Sequence, residues 1–366
     1  MLRCRSLFGA RRLILGLCAG TAILLAGGIA VTETPGDRQT ATVEEWTETL
    51  AYSFAEIDRR APGTLGVFVA DLKGERSVSY RADRQWYLAS TVKVPLAIAV
   101  LQDVDSGKRS LSDTITLEKS DYVDGAGDLI WEPPGAELSL GEAIQGAIRD
   151  SDSTASDLLI REMGAATVNA RLERMPGGKG FGDITSILQV RYDAFEELHP
   201  AADALSNIDI IEINTAGDYQ ARRRALAAKL GISERNLALG SWSQAFERYY
   251  ARGLNSASLE AFGELLAALA RGELLSEEST DFLLDAMSGI TTGNSRIAAG
   301  LPNGTWFAQK TGTQIGRVCN VGIIKAGSRV DGLIVAACAE GMTDIRDGEA
   351  MLRDVGATLG RTLSLE

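Results

Sequence analysis

Predicted strands lie near both ends of this chain, and the long stretch between them is predicted to be mostly helical. The segment TLGVFVADLKGERSVSYRADR (64–84) contains two strand patterns joined by a Lys-Gly turn, which is typical of a β-hairpin. Three further strand patterns follow near the carboxyl end: GTWFAQKTGT, RVCNVGIIKAG and DGLIVAACAEG. The two opening strands and the three closing strands can form one antiparallel sheet, with the helical stretch (about 101–300) inserted between them.

A helix is predicted on each side of this set of strands. The first, TVEEWTETLAYSFAEIDRR, has Thr42 as its cap, Glu45 three residues later, and apolar residues at helical spacing. The second runs from about Asp344 to Leu363. We therefore predict an α/β fold of the α+β sandwich type, in which terminal helices flank a five-stranded antiparallel sheet and an all-helical subdomain is inserted. A binding pocket is expected between the sheet and the inserted helices.

The amino terminus has the pattern of an export signal. Residues 1–12 are basic, residues 13–31 are apolar and uncharged, and Gly28-Ile29-Ala30 offers small residues for cleavage. This pattern predicts a leader over 1–30, a linker over 31–42 and one globular domain over 43–366, located in the periplasm or secreted. The alternative is an uncleaved membrane anchor, because the 19 apolar residues are just enough to span a bilayer.

Two cysteines remain after the predicted leader, Cys319 and Cys338, and they fall on neighbouring predicted strands. In an exported protein they could form a disulfide. They could equally be reduced, since free cysteine is a common small residue in buried strands. The sequence leaves both alternatives open.

Charge and histidine content exclude several kinds of function. With 37 basic and 49 acidic residues, the chain has a net charge of −12, which repels phosphates and argues against nucleic-acid binding. The single histidine, His199, cannot build the usual two- or three-histidine metal site, and we predict no metal or other cofactor. A serine nucleophile that does not use His199 needs another base, for which lysine is the obvious candidate.

The run YLASTVKVPLAIAV (87–100) places one lysine, Lys93, in an otherwise apolar helix, three residues after Ser90. Burial lowers the pKa of an ammonium group, so a buried Lys93 could accept the proton of Ser90. The N-terminus of a helix would in addition favour an oxyanion formed at Ser90. The alternative is structural: a serine at a helix start, and a lysine whose stem is buried while its charged end reaches water.

Two other short motifs combine hydroxyl groups with a charged residue. The motif SDS (151–153) precedes an apolar helical pattern, so it also fits a helix cap. The motif KTGT (310–313) lies on a predicted strand, where its lysine and hydroxyl groups could hold a substrate carboxylate. Backbone N–H groups there could complete an oxyanion hole, although the motif also fits a turn at the end of a strand.

In this order, S-x-x-K, S-D-S and K-T-G-T resemble the motif set of the serine β-lactamase and penicillin-binding protein superfamily, and most closely that of class A β-lactamases. The flanking segments are similar as well, so the likeness covers roughly residues 43–190 and 256–366. This resemblance implies the β-lactamase/transpeptidase-like fold. It also implies a serine hydrolase that acts on amide bonds through an acyl-enzyme.

The resemblance further implies a role for each matching residue. Ser90 would be the nucleophile and Lys93 its general base, while Ser151 would pass a proton to the leaving amine with electrostatic help from Lys310. The oxyanion hole would consist of the backbone N–H groups of Ser90 and Thr313. The substrate-binding residues would be Lys310, Thr311, Thr313 and Ser153, of which Ser153 stands where the family usually has asparagine.

One catalytic part of class A enzymes has no evident match in this chain. Those enzymes carry a glutamate that activates the deacylating water, and an ungapped alignment places Arg191 at that position. Glu196 or Glu197 could take over this role from a rearranged loop, or could form an exposed acidic patch without a catalytic role. An extra helical insertion follows at about 200–250, and we expect it to reshape the rim of the pocket.

We therefore expect an exported, monomeric serine hydrolase that forms an acyl-enzyme at Ser90 and acts on a β-lactam or a related amide or ester. Its substrate would be a small molecule or peptide that carries a carboxylate. Because the deacylating glutamate is missing, efficient hydrolysis of β-lactams is not expected. Two alternatives remain: a penicillin-binding or sensor protein that is acylated without turnover, and a DD-peptidase-like enzyme acting on peptidoglycan peptides.

Overall fold

The computed structural model describes residues 43–74, 76–325 and 332–363. The predicted leader and linker lie outside the described residues, so the export signal and the membrane anchor stay predictions. Within the described ranges, none of the helices combines the length and the apolar character that crossing a bilayer requires.

Most of the described strands belong to one sheet. The strands are β1 (Thr64–Asp71), β2 (Ser77–Tyr80), β3 (Gln85–Tyr87), β4 (Thr114–Thr116), β5 (Glu137–Ser139), β6 (Ser256–Ser258), β7 (Trp306–Gln314), β8 (Arg317–Lys325) and β9 (Gly332–Glu340). The main sheet has the order β2-β1-β9-β8-β7, and all of its neighbouring strands are antiparallel. The predicted five-stranded antiparallel sheet is thus confirmed. Two small ribbons, β3–β6 and β4–β5, lie outside it.

The helices surround this sheet. They are α1 (Val43–Arg60), α2 (Lys93–Asp105), α3 (Leu140–Arg149), α4 (Ser153–Met163), α5 (Ala165–Leu172), α6 (Ile187–Glu196), α7 (Asn207–Thr215), α8 (Tyr219–Lys229), α9 (Trp242–Tyr250), α10 (Leu259–Ala270), α11 (Glu277–Ser288), α12 (Ile297–Gly300) and α13 (Ile345–Leu363). The order along the chain is therefore one helix, two sheet strands, a long and mostly helical stretch, three sheet strands and a closing helix.

The terminal helices α1 and α13 cover one face of the main sheet. On α1, Trp46, Leu50 and Phe54 recur at helical spacing, and all three are buried. They pack in one apolar cluster with Val355 and Leu359 of α13 and with residues from one face of the strands. The prediction that terminal helices flank the sheet is therefore confirmed.

The other face of the sheet packs in a larger apolar cluster that contains α2 and α10. Every residue of α2 from Lys93 to Leu101 is buried. A helix at the centre of a protein is apolar on all sides because each side meets other protein. Lys93, in the first turn of α2, therefore cannot reach water along the surface as the structural alternative requires.

A third apolar cluster joins α6 to α7, α8 and α9, the helices that follow residue 200. Phe195 of α6 packs on Trp242 of α9 with ring centroids 4.7 Å apart. Tyr249 and Tyr250 pack on Tyr87, with centroids 5.8 and 4.6 Å from its ring. Because Tyr87 lies three residues before Ser90, this helical region supports the segment that carries the predicted nucleophile.

A disulfide crosses the middle of the main sheet. Cys319 of β8 and Cys338 of β9 are directly opposite in the strand register, and their sulfur atoms are bonded. Both residues are about 1% exposed. Of the two alternatives that the sequence leaves open for these cysteines, the structure contains the disulfide.

Candidate active site

A cavity of about 320 Å³ lies between β7, the start of α4 and the helix α6. Residues that the sequence assigns to three separate motifs meet at this cavity. Those that line it are Ser90, Ser151, Ser153, Thr311 and Thr313. The two predicted lysines, Lys93 and Lys310, are fully buried and contact Ser151.

Ser90 lies in a 3₁₀ turn, Ala89–Val92, that runs directly into α2. Ala89 has a φ of 48°, a left-handed conformation that is strained for a residue with a side chain, by roughly 1–3 kcal/mol. Among the described residues, the Ser90 hydroxyl has no hydrogen-bond partner, and it faces the cavity. The strained turn thus presents a free hydroxyl where a substrate would lie.

Gly312 of β7 allows the strand to approach this turn closely. A Cβ atom at Gly312 would lie 2.3 Å from the carbonyl oxygen of Leu88 and 3.1 Å from the backbone nitrogen of Ser90. Any larger residue would push β7 away from the nucleophile turn. The close approach brings the backbone of β7 beside Ser90, as an oxyanion hole made of the Ser90 and Thr313 N–H groups requires.

Lys93 is held by backbone oxygens rather than by a carboxylate. Its ammonium donates to the carbonyl oxygen of Ser151 at 2.6 Å and to that of Asp152 at 3.1 Å. Burial lowers the pKa of Lys93 to about 8, although the charges of Asp157 and Asp152 oppose this shift. A lysine with this pKa is partly neutral near pH 7, and a neutral lysine can accept a proton.

Ser151 connects the two buried lysines. Its carbonyl oxygen accepts from Lys93, and its hydroxyl oxygen accepts from the ammonium of Lys310 at 2.9 Å. Burial, and then the nearby positive charge of Lys93, holds the pKa of Lys310 well below its usual value. Ser151 itself has a φ of 56°, a second strained position in the site. The hydroxyl of Ser151 is therefore placed between a basic network and the cavity.

Asp152 shows that the helix-cap interpretation of residues 151–153 is also correct. Its carboxylate accepts from the N–H of Ala155 at 2.8 Å, which caps α4, and from the N–H of Leu129 at 2.9 Å. These two hydrogen bonds fix the backbone of the motif. The carbonyl oxygens that bind Lys93 are fixed as a result, so the cap and the chemistry use the same segment.

The hydroxyl groups of β7 are held by a loop that the sequence analysis missed. Thr311 shares a hydrogen bond of 2.8 Å with Thr292, and Arg296 donates to the hydroxyl of Thr313 at 2.5 Å. Arg296 is 3% exposed, donates to the carbonyl oxygens of Gly312 and Cys319, and is paired with the carboxylate of Glu349 at 3.3 Å. A lone arginine in an irregular loop gives no signal in the sequence, but here it holds the hydroxyl of Thr313 where a substrate carboxylate is expected.

Asp157 is a second residue that the sequence analysis did not single out. Its carboxylate accepts from the N–H groups of Ile187 and Leu188 at 2.6 and 2.8 Å, at the N-terminus of α6. Burial raises the pKa of Asp157 to about 7, although these two hydrogen bonds and the charge of Lys93 lower it. The residue lies four positions after Ser153 on α4, and that helical spacing is the signal that could have found it.

Arg191 of α6 lines the cavity, where the alignment with class A enzymes expects a glutamate. Its Nε donates to both carboxylate oxygens of Asp124, at 2.9 and 3.2 Å. Asn214 of α7 donates to the same carboxylate at 3.0 Å. Burial lowers the pKa of Arg191, but the Asp124 carboxylate outweighs this and raises it above the usual value. The group facing the cavity from α6 is thus a permanent cation.

Neither Glu196 nor Glu197 lines the cavity. Glu197 is paired with Arg252 at 2.5 Å and lies 3.8 Å from Arg248, and its side chain is 18% exposed. Neither glutamate is placed to activate water beside Ser90. The exposed acidic patch is not observed either, since Glu197 is mostly buried by its arginine partners.

The only histidine also lies outside the cavity. The Nδ1 atom of His199 accepts from the N–H of Ala201 at 3.2 Å and caps a short 3₁₀ helix, Pro200–Ala204. His199 is therefore not placed to act as the base for Ser90. Across residues 43–74, 76–325 and 332–363, no group of three or more His, Cys, Asp or Glu side chains is arranged to hold a metal ion.

Comparison with curated proteins finds relatives over nearly the whole chain. A β-lactamase of Mycobacterium tuberculosis is 24% identical over 360 residues, which are 98% of each chain. A β-lactamase of Streptomyces albus G is 24% identical over 364 residues, covering 96% of this chain and 97% of the relative. The β-lactamase ROB-1 of Haemophilus influenzae is 31% identical, but over only 140 residues, which are 38% of this chain and 44% of the relative.

Solved structures with the same fold include PBP-A and several β-lactamases. PBP-A superposes with a TM-score of 0.62 at 21% identity, covering 87% of this chain and 96% of that chain. A β-lactamase from Xanthomonas campestris superposes with a TM-score of 0.64 at 22% identity, covering 87% and 98%. These likenesses establish the β-lactamase/transpeptidase-like fold that the motifs imply.

The family itself is established by a match to most of the chain. The profile of the β-lactamase enzyme family matches residues 49–363, which include all the elements that build the cavity. The resemblance found in the motifs is thereby confirmed. This chain belongs to the β-lactamase enzyme family and is a serine hydrolase of the kind that acts on amide bonds.

Proposed function

We propose that β-lactams and related carboxylate-bearing amides or esters acylate Ser90, and that the resulting ester is hydrolysed slowly. The observation that carries this proposal is the environment of Lys93. It is a fully buried ammonium with two backbone oxygens as hydrogen-bond partners, one helical turn after Ser90. Because burial disfavours the charged form, this ammonium can lose its proton to solvent, and the neutral amine can then accept the proton of Ser90.

Acylation proceeds with Lys93 in its neutral form. Lys93 accepts the proton of Ser90 as the serine oxygen attacks the substrate carbonyl carbon, and the N–H groups of Ser90 and Thr313 stabilise the oxyanion. The carbon–nitrogen bond then breaks, and the nitrogen takes a proton through the hydroxyl of Ser151, which Lys310 binds. Hydroxyl groups of Thr311 and Thr313, with Arg296 behind them, hold the substrate carboxylate.

Slow deacylation follows from the wall of the cavity that α6 provides. Hydrolysis of an ester needs a base that takes a proton from water. No carboxylate lines the cavity within the described part of the chain, and Arg191, which cannot act as a base, occupies the α6 wall. The ester on Ser90 is therefore expected to persist. A mutant of PBP-A, a protein with the same fold, has a solved structure as an acyl-enzyme complex with penicillin G.

We also propose that the protein works outside the cytoplasm, as a globular domain over 43–366 behind a leader and a linker. The pattern of residues 1–30 supports export. The disulfide between Cys319 and Cys338 supports an oxidising compartment. Fractionation of cells that produce the full chain, with N-terminal sequencing of the product, tests both points.

The test of the proposed function combines intact-mass spectrometry with a chromogenic cephalosporin. Mixing the protein with benzylpenicillin is expected to add the mass of one penicillin at Ser90, and the adduct should outlast the mixing time by minutes or more. Turnover of the cephalosporin should be slow. Ser90→Ala should give neither adduct nor turnover, with Ser112→Ala, an exposed serine, as the matched control. An unchanged adduct in Ser90→Ala would disprove the assignment. Fast turnover without an adduct would leave an efficient β-lactamase instead.

A further inference from the structure

Arg191 has hydrogen-bond donors that no protein atom uses. An arginine side chain carries five N–H donors, and only the one on Nε is engaged, by Asp124. Among the described residues, the Nη1 and Nη2 atoms have no partner, and neither is sealed from solvent. The residue is nevertheless 8% exposed, and its accessible part lines the cavity. A buried cation that lines the cavity thus has four N–H donors left for a ligand.

The guanidinium is bound directly at Nε, and two further contacts fix its partner and its helix. Asp124 binds Nε, and Asn214 of α7 donates to the same carboxylate at 3.0 Å, so the partner of Arg191 is itself fixed. The N-terminus of α6 is anchored by Asp157, which accepts from the N–H groups of Ile187 and Leu188. A donor group that is already oriented loses little entropy when it binds an anion.

The charge of the cavity lining favours an anion. Arg191 and Arg296 both line it, whereas no Asp or Glu among the described residues does. This contrasts with the chain as a whole, whose net charge is −12. Arg296 already donates to Thr313, Gly312, Cys319 and the carboxylate of Glu349, so it has fewer donors left than Arg191. Arg191 is therefore the cation in the lining that is best able to bind a further anionic group directly.

We propose that Arg191 is a specificity-determining residue that binds a second carboxylate of the substrate, distinct from the carboxylate held by β7. The inference rests on the proposed function, because it assumes that the substrate acylates Ser90. The two anion sites belong to different walls, since Thr311 and Thr313 come from β7 while Arg191 comes from α6. The preferred substrates are accordingly small amides with two carboxylates, one on each side of the reacting carbonyl. A planar guanidinium suits this task because two of its N–H groups can bind one carboxylate together.

Two penicillins that differ by one carboxylate test this inference. Benzylpenicillin and carbenicillin share the same bicyclic nucleus, and carbenicillin has an additional carboxylate on its side chain. The measured quantity is the second-order rate constant of acylation of Ser90, followed by intact mass at several concentrations of each penicillin. For the unmodified protein, carbenicillin should react roughly 10-fold faster or more, as one charge-assisted hydrogen-bond pair allows.

Substitutions at Arg191 and nearby test whether the preference for carbenicillin depends on Arg191 itself. Arg191→Gln should reduce the carbenicillin-to-benzylpenicillin ratio to about one, and so should Arg191→Gln combined with Asp124→Asn, which leaves no unpaired carboxylate behind. Arg191→Lys, which keeps the charge without the planar fork, should keep part of the preference. Arg248→Gln removes an arginine that is 59% exposed at the side chain and lies outside the cavity, so it should keep the full ratio.

A ratio of one or less in the unmodified protein overturns the inference and leaves the proposed function intact. If Arg191→Gln still reacts faster with carbenicillin than with benzylpenicillin, the inference is also overturned and the proposed function is again left intact. If neither penicillin acylates Ser90, the proposed function fails, and this inference fails with it. The ratio is independent of the fraction of each variant that is folded, so a loss of stability does not obscure the result.

Discussion

Two walls of one cavity each bury a basic side chain, and the two side chains have different partners. On one wall, Lys93 at the start of α2 is held by the backbone carbonyl oxygens of Ser151 and Asp152, which carry no net charge. On the other wall, Arg191 of α6 is held by the carboxylate of Asp124. Burial lowers the pKa of Lys93 to about 8, whereas the pKa of Arg191, despite its burial, is raised by Asp124.

This difference shows how the partner of a buried cation decides what the cation can do. A buried ammonium whose hydrogen bonds go to neutral carbonyl oxygens is only partly compensated for its lost hydration, so its pKa falls and it can act as a base near neutral pH. A buried guanidinium beside a carboxylate stays charged, and its remaining donors can only bind. The Lys93 wall therefore suits acylation, and the Arg191 wall suits recognition but not the activation of water.

The largest expected effect comes from removing the base. Lys93→Met keeps the shape of the side chain and removes its amine, so acylation of Ser90 by benzylpenicillin should slow by roughly 10³-fold. The rate is measured by intact mass, and thermal unfolding checks that the variant folds. Lys179→Met, a change of the same type at an exposed lysine, is the control. Acylation within tenfold of the unmodified rate would show that Lys93 is not the base.

The second prediction concerns a variant in which α6 provides a base for deacylation. Arg191→Glu combined with Asp124→Asn places a carboxylate at the cavity and removes the neighbouring negative charge. That carboxylate can take a proton from water, so loss of the penicillin adduct should accelerate by roughly 10²-fold. The measurement is the return of the free-protein mass after excess penicillin is removed. Asp124→Asn alone should not accelerate this step, and an unchanged adduct lifetime in the double variant would contradict the role given to Arg191.

The third prediction is a pH profile that separates the two walls. Since Lys93 has a pKa of about 8 and accepts a proton only when neutral, acylation should be slow at low pH and rise as pH increases. From pH 7 to pH 9 the neutral fraction grows from about one tenth to about nine tenths, so the rate should rise roughly tenfold. The carbenicillin-to-benzylpenicillin ratio should stay constant, because Arg191 stays charged. A flat or falling acylation rate would contradict the assignment of Lys93.

The smallest expected effect concerns the helix that supports the α6 wall. Asn214→Ala removes one hydrogen bond to Asp124, worth about 1 kcal/mol, and loosens the partner of Arg191. The preference for carbenicillin should fall by roughly two- to fivefold. Asn207→Ala is the matched control on the same helix, because Asn207 donates to the carbonyl oxygens of Lys119 and Tyr122 and not to Asp124. Equal ratios in the two variants would show that Asn214 does not position Arg191.

Much of the fold could be predicted from the sequence because the signals were local. The two strand patterns and the Lys-Gly turn of residues 64–84 predicted the hairpin of β1 and β2, and three strand patterns near the carboxyl end predicted β7, β8 and β9. Together with the terminal helices, these determined the architecture. The order of the strands, with β9 between β1 and β8, depends on pairing between residues far apart in the sequence and could only be inferred from the family.

In the candidate active site, the residues in short motifs could likewise be predicted from the sequence, and those that act through tertiary contacts could not. Its hydroxyl and lysine residues could be proposed because they occur in short motifs with fixed spacing, and the structure places them around one cavity. Asp124, Asn214 and Arg296 could not, because each acts through a tertiary contact from a loop or from the end of a distant helix. The helices after residue 200 were expected to reshape the rim of the pocket, but none of the residues 200–250 lines the cavity, and their aromatic residues support Tyr87 instead.

The sequence alone determined that Lys93 lies in an apolar helix one turn after Ser90, and that an arginine stands where related enzymes have a glutamate. It could not determine whether either cation has a counter-ion. That depends on which groups the folded chain brings within about 3 Å, because at this distance a carboxylate compensates a buried cation for its lost hydration far more than a neutral carbonyl oxygen does. Only the tertiary structure gave Lys93 two carbonyl oxygens and Arg191 a carboxylate, and this difference assigns one to catalysis and the other to binding.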